Sequence, residues 1–215
     1  MSFGLITDLF QQKDLYKKLN LTLNRSDMFT GIVQDLGEIV ETQVIPEGIR
    51  LWISSTMDPK HFTLGNSIAV NGVCLTVESF KDSKFQATAV HETLRLTTLG
   101  DIKLGTQVNL EAPLTLETPI AGHLVSGHVD GVANVIQNGP EMIIELPEKL
   151  KPYIAMKGSV TVNGVSLTIA ALESDHFKLA LIPETLERTN LDVAKRVNLE
   201  VDLIARYLEQ LNKSK

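Results

Sequence analysis

The sequence predicts an all-β chain built as two similar domains in tandem, each a small barrel or sandwich, with one α-helix at the carboxy terminus. Three observations predict it. The segment Val70-Asn-Gly-Val-Cys-Leu-Thr-Val77 returns 92 residues later as Val162-Asn-Gly-Val-Ser-Leu-Thr-Ile169. Short apolar–polar alternations recur between turn residues at the spacing of a small β-domain. Helical periodicity is convincing only after residue 202.

The first repeat reads in order as strands over 29–40, 49–54, 68–70, 73–77, 85–90 and 107–111. Asn71-Gly72 is a hairpin signal, because both residues tolerate positive φ, and Asn163-Gly164 repeats it. Glu92-Thr-Leu94 returns as Glu184-Thr-Leu186, each with room for a short turn of helix. Val108-Asn-Leu-Glu111 recurs as Val197-Asn-Leu-Glu200, and Phe29-Thr-Gly-Ile-Val33 has a looser echo in Val125-Ser-Gly-His-Val129. A period near 90 residues with two copies fits tandem domains and not a solenoid. Asp202 can cap the final helix, whose apolar stripe of Leu203, Ile204, Tyr207, Leu208 and Leu211 must cover something. The boundaries follow: an extension over 1–27 (or a start placed upstream of the true one at Met28), domains over 28–124 and 125–201, and an oligomerisation helix over 202–215. Phe3, Ile6 and Phe10 hint at a short amphipathic helix in the extension.

Composition narrows the function. The 215 residues are 43% hydrophobic and 21% charged, the balance of a folded soluble protein. A net charge of −6 without a basic cluster argues against nucleic acid or an anionic membrane as partner. One cysteine excludes an internal disulfide and a cysteine-based zinc cluster, and a cytoplasmic location is expected. No phosphate loop, dinucleotide fingerprint or nucleophile elbow is present.

Alternation places Cys74 and Thr76 opposite the core face of the first hairpin, and Ser166 and Thr168 opposite that of the second. Such small polar pairs either hydrogen-bond the edge of a flat ligand or merely face solvent. In Ala121-Gly-His-Leu-Val-Ser-Gly-His128, glycines beside each histidine permit close approach, and histidine suits proton transfer. His123 is read as structural, hydrogen-bonded in the domain junction, and His128 as the functional one.

Met28-Phe-Thr-Gly-Ile-Val33, the doubled Asn-Gly-Val-Cys/Ser-Leu-Thr, Gly122-His-Leu-Val-Ser-Gly-His128 and Ile182-Pro-Glu-Thr-Leu-Glu-Arg-Thr189 together resemble the riboflavin synthase family, alpha-chain type. The resemblance covers residues 28 to about 210 and implies two six-stranded antiparallel Greek-key barrels and a helix joining a homotrimer. It implies that two molecules of 6,7-dimethyl-8-ribityllumazine react by four-carbon transfer, giving riboflavin and 5-amino-6-ribitylamino-uracil, with neither metal nor cofactor. The working site then joins the amino-terminal barrel of one subunit to the carboxy-terminal barrel of its neighbour.

Carried onto matching positions, the resemblance puts Gly31, Ile32, Val33, Ser67, Cys74, Leu75 and Thr76 in an amino-terminal half-site. Phe29 lies close by, and the run Thr88-Ala89-Val90-His91-Glu92-Thr93 lines the same half-site. The carboxy-terminal half-site takes Gly127, His128, Val129, Lys157, Ser166, Leu167 and Thr168, then Ile182, Pro183, Glu184 and Thr185. His128, with Thr168 beside it, is expected to assist deprotonation of the lumazine C7 methyl. Cys74 and Ser67 are expected to bind the other lumazine and assist addition at its ring. Asp202 matches a family acid near the site. Some members carry Asp where this chain has Asn163, which keeps the turn but cannot act as a base. Lumazine-binding fluorescent proteins share the scaffold without the reaction; retention of His123, His128, Ser166 and Thr168 favours the enzyme.

Overall fold

The computed structural model describes residues 28–213, so the amphipathic stretch expected near Phe3 lies outside the described residues. The second repeat is a closed barrel. Its strands are β8 (Gly131–Gln137), β9 (Glu141–Glu145), β10 (Ser159–Val162), β11 (Val165–Leu172), β12 (His176–Ala180) and β13 (Arg196–Val201). They pair antiparallel around the ring in the order β10-β11-β12-β9-β8-β13.

The first repeat follows the same path as a seven-stranded sheet of order β4-β3-β7-β1-β2-β6-β5. Its strands are β1 (Asp35–Ile45), β2 (Gly48–Ser54), β3 (Ser67–Val70), β4 (Val73–Thr76), β5 (Ser79–Lys81), β6 (Lys84–Val90) and β7 (Gln107–Glu111). The extra strand arises because the counterpart of β11 is broken after Thr76. Val77 N–H donates to Asn66 O on one side, and Glu78 N–H donates to Gln86 O on the other. The chain thus leaves β3 and turns onto β6 at that point. In β11 the same corner is absorbed by a register shift between Ile169 and Ala171.

Two short helices, α1 (His91–Leu96) and α2 (Pro183–Arg188), stand where turns were expected, and α3 (Leu203–Lys213) closes the chain. Ile204 N–H donates to Asp202 Oδ1 at 2.9 Å, as the capping argument requires. Strand β1 starts at Asp35 instead of 29. Residues before it form a strap across the domain junction, where Phe29 N–H donates to Val125 O at 2.8 Å and Val125 N–H returns to Phe29 O at 3.0 Å.

Each barrel has its own apolar core. Ile39, Leu51, Ile53 and Phe85 are fully buried in the first, where Phe62 stacks on Phe80 and Phe85 at 4.9 and 5.0 Å between ring centroids. Met142, Ile144, Val160, Ile169 and Phe177 fill the second. Burial of each such side chain contributes roughly 2 kcal/mol.

Residues alternating with the core positions on β7 and β13 face the other barrel, and they build a symmetric polar junction. Asn109 N–H donates to Asn71 Oδ1, and Asn198 N–H donates to Asn163 Oδ1, both at 2.8 Å. Asn109 Nδ2 donates across to Asn163 O at 2.9 Å, and Asn198 Nδ2 across to Asn71 O at 2.8 Å. The hairpin turns meet backbone to backbone: a Cβ on Gly72 would lie 2.7 Å from Gly164 N, and one on Gly164 would lie 2.8 Å from Gly72 N. Asn163 is therefore a buried junction residue, which explains why an amide serves there.

Candidate functional site

Two straps build the site. Thr30 N–H and Thr30 Oγ1–H both donate to Glu111 Oε1 at 2.7 Å, and Gly31 N–H donates to Glu111 Oε2 at 3.0 Å. Ser126 and Gly127 repeat the arrangement on Glu200, at 2.7, 2.6 and 3.0 Å. Each strap then reaches the opposite barrel. Ser166 N–H donates to Gly31 O at 2.7 Å, and Cys74 N–H donates to Gly127 O at 2.9 Å. A side chain would not fit at either contact, since a Cβ on Gly31 would sit 2.6 Å from Ser166 Cβ and one on Gly127 2.6 Å from Cys74 Cβ.

Through this crossing the strap residues stand beside the barrel opposite to the one their expected half-site belongs to, while the hairpin residues stay where they were expected. Val33 packs on the core of the second barrel and Val129 on that of the first. Gly31, Ile32 and Val33 line a pocket of about 240 Å³ with Ser166, Ile182, Glu184 and Thr185 of the carboxy-terminal barrel. Cys74, Leu75, Thr76, Thr88, Val90 and Thr93 line a second, open pocket of about 620 Å³ on the amino-terminal barrel. Gly127 and Val129 reach that barrel, and exposed His128 lies between them, so the expected pairing of His128 with Thr168 is not made. A third cleft of about 450 Å³ over the asparagine junction carries none of the expected site residues.

Other expected residues divide by what they touch. Phe29 is fully buried with Ala69 and Val125, so its ring faces no ligand; the strap that carries it is sealed into the junction. Ala89 also turns its side chain into the core, and Leu167 packs on the second core. Ser67 is buried and paired in register with Thr76, as Ser159 is with Thr168. Lys157 is exposed at φ 65 in the turn before β10. His91 Nε2 meets Pro46 O at 2.8 Å, Glu92 pairs with Arg95, and Pro183 opens α2.

His123 stands against Ser166 of the carboxy-terminal pocket. Its Nδ1 lies 2.7 Å from Ser166 Oγ and its Nε2 lies 3.1 Å from Thr161 Oγ1, while its N–H donates to Thr30 O at 3.2 Å. Burial lowers its pKa below the usual histidine value, and the negative charge of Asp202 opposes that shift. Asp202 thus both caps α3 and acts electrostatically on His123. His123 is hydrogen-bonded in the domain junction, as expected, with Ser166 of the pocket as one of its partners. Arg50, Glu47 and Glu78 in the amino-terminal pocket escaped sequence reasoning because they lie in no repeated motif. Arg188 in the other lies in the Ile182–Thr189 motif but has no counterpart arginine 92 residues earlier, where Leu96 stands.

The lumazine binding domain family matches the chain twice, over residues 30–113 and 126–202. Riboflavin synthase of Mycobacterium tuberculosis is 42% identical over 199 residues, covering 87% of this chain and 99% of that protein. The chain belongs to the riboflavin synthase family. Family members from Photobacterium leiognathi (42% identical, 86% of this chain and 89% of that one) and Actinobacillus pleuropneumoniae (39%, 85% and 89%) agree. Among solved structures, LumP complexed with riboflavin superposes with a TM-score of 0.70 at 25% identity, over 80% of this chain and 98% of that one. LumP complexed with 6,7-dimethyl-8-(1'-D-ribityl) lumazine gives 0.69 at 23%, with the same coverage.

Proposed function

We propose that this chain catalyses the family reaction: one 6,7-dimethyl-8-ribityllumazine molecule transfers a four-carbon unit to a second, giving 5-amino-6-ribitylamino-uracil from the donor and riboflavin from the acceptor, the last step of riboflavin biosynthesis. The observation that carries the reading is a pair of related pockets, each with a small nucleophilic group at the same repeat position, Cys74 and Ser166. A dismutation needs two copies of one substrate, and holding both removes much of the entropic barrier to a bimolecular step.

His123 and Ser166 supply the base. With the Nε2 proton donated to Thr161 Oγ1, Nδ1 is free to accept the Ser166 hydroxyl proton. As that proton passes to Nδ1, Ser166 Oγ takes one from the C7 methyl of the lumazine in the carboxy-terminal pocket. The methyl is acidic because its anion delocalises into the ring, so a neutral imidazole relayed through a hydroxyl is a sufficient base. Cys74 and Thr76 hold the second lumazine at the amino-terminal pocket for addition at its ring.

The reading includes a homotrimer in the cytoplasm. Ile204, Tyr207, Leu208 and Leu211 of α3 are all more than half exposed, and Ile32, Ile182 and Val90 stand partly exposed at the pocket mouths. Neighbouring subunits that cover these residues would bring one protomer's amino-terminal pocket to the other's carboxy-terminal pocket. Among the described residues no helix is long and apolar enough to cross a membrane.

The test is purified protein given only the lumazine. Equimolar riboflavin and uracil product, from two lumazines each, is the expected result. Tight binding without turnover would make the chain a lumazine-binding protein instead.

A further inference from the structure

We infer that Glu111 and Glu200 are crossed positioning residues: each barrel's closing carboxylate fixes the half-site of the other barrel. The inference rests on the half-sites of the proposed function but not on turnover. Glu111 ends β7 of the first barrel and is buried, with Thr30 and Gly31 as its hydrogen-bond donors. Those same two residues spend their carbonyls on the carboxy-terminal half-site: Thr30 O accepts from His123 N–H, and Gly31 O accepts from Ser166 N–H. Both members of the proton-transferring pair therefore hang from a strap that a first-barrel carboxylate sets.

Glu200, in β13 of the second barrel, repeats the device. It holds Ser126 and Gly127, and Gly127 O accepts from Cys74 N–H in the amino-terminal half-site. A carboxylate suits the task because its two oxygens accept three donors at once, and charge-assisted bonds of this kind are stronger than neutral ones. Glutamine offers one oxygen and turns an N–H₂ toward Gly31 N–H or Gly127 N–H, so the second half of each clamp becomes repulsive.

A straight route competes with the crossed one. Glu111 pairs in register with Ala69, which pairs with Cys74; Glu200 pairs with Thr161, which pairs with Ser166. If coupling ran through the sheet, each glutamate would govern the half-site of its own barrel. The two routes give opposite patterns.

The experiment uses the full chain carrying Glu111→Gln or Glu200→Gln at about pH 8. Two probes read the half-sites without turnover at that pH: the NMR resonances of the His123 ring, and the alkylation rate of Cys74, the only cysteine, by iodoacetamide. Glu111→Gln is expected to shift the His123 ring resonances while Cys74 alkylation stays within about twofold. Glu200→Gln is expected to change Cys74 alkylation about fivefold or more and leave the His123 resonances in place. The straight pattern, equal changes at both probes, or no change at either overturns the inference. If a glutamine variant fails to fold, Thr30→Val and Ser126→Ala each delete one bond to the same carboxylates and must show the same crossing at smaller size. The crossed pattern in a protein without turnover would keep this inference and remove the proposed function.

Discussion

Ser166 Oγ lies 2.7 Å from His123 Nδ1, joining the second hairpin to the linker between the repeats. The contact orders the chemistry, since a serine hydroxyl is a poor base until a neighbour takes its proton. It also gives the sharpest mutational prediction. Ser166→Ala and His123→Gln are each expected to lower kcat by about 10²–10³ with little change in KM, because general-base help of this kind is worth about 10²–10⁴. Steady-state kinetics with the lumazine, beside thermal melts that stay close to wild type, check it. An undiminished kcat in either variant would remove the pair from the mechanism.

The acid limb of the pH profile follows from the same residue. Burial lowers the His123 pKa, so the neutral imidazole persists below the ordinary value of about 6.5, and activity should hold to that side before falling. Asp202 raises the His123 pKa. Asp202→Asn keeps a good helix cap but removes the charge, so the acid limb of kcat should move to still lower pH. A limb that moves up, or one that does not move, would show that Asp202 serves only the helix.

Much of this was readable from the sequence, and the reasons differ by element. The hairpins at Asn71-Gly72 and Asn163-Gly164 were legible because turn chemistry and alternation are local. The matched Cys74 and Ser166 were legible because duplication repeats a register. The strap at residues 28–34 was not: its backbone pairs with a residue 96 positions away, and pattern alone reads it as the start of β1. That reading hid the crossing by which Gly31, Ile32 and Val33 line the pocket that holds Ser166.

The two hairpin glycines offer a stability test with an internal control. Gly72 has φ 75, and its Cβ would lie 2.7 Å from backbone of the other turn; Gly105 has φ 79 with nothing within 4 Å. Gly105→Ala should cost about 1–2 kcal/mol for the left-handed backbone alone. Gly72→Ala adds a collision between rigid turns at the barrel junction and should cost about 3–4 kcal/mol. Urea unfolding measures both. Equal costs would mean that the barrels separate readily to admit the methyl group.

Glu111 links the strap to pH. Burial raises its pKa from 4.5 to about 7, against the hydrogen bonds from Thr30 and Gly31. The native state therefore holds this proton more tightly than the unfolded chain. Its contribution to stability is fully present below about pH 4.5 and is lost as pH rises through 7. A shift of this size corresponds to about 3 kcal/mol across that window. Glu111→Gln does not titrate, so the stability gap between variant and wild type should move by about 2 kcal/mol in the variant's favour between pH 5 and about 7.5. Glu200, raised in the same direction by its own burial, adds a slope common to both proteins and cancels in the difference. Urea unfolding of the pair at the two pH values reads that difference directly. A gap that does not change would mean that the three donors keep the carboxylate ionised throughout, with the strap held at full strength at every pH the protein meets.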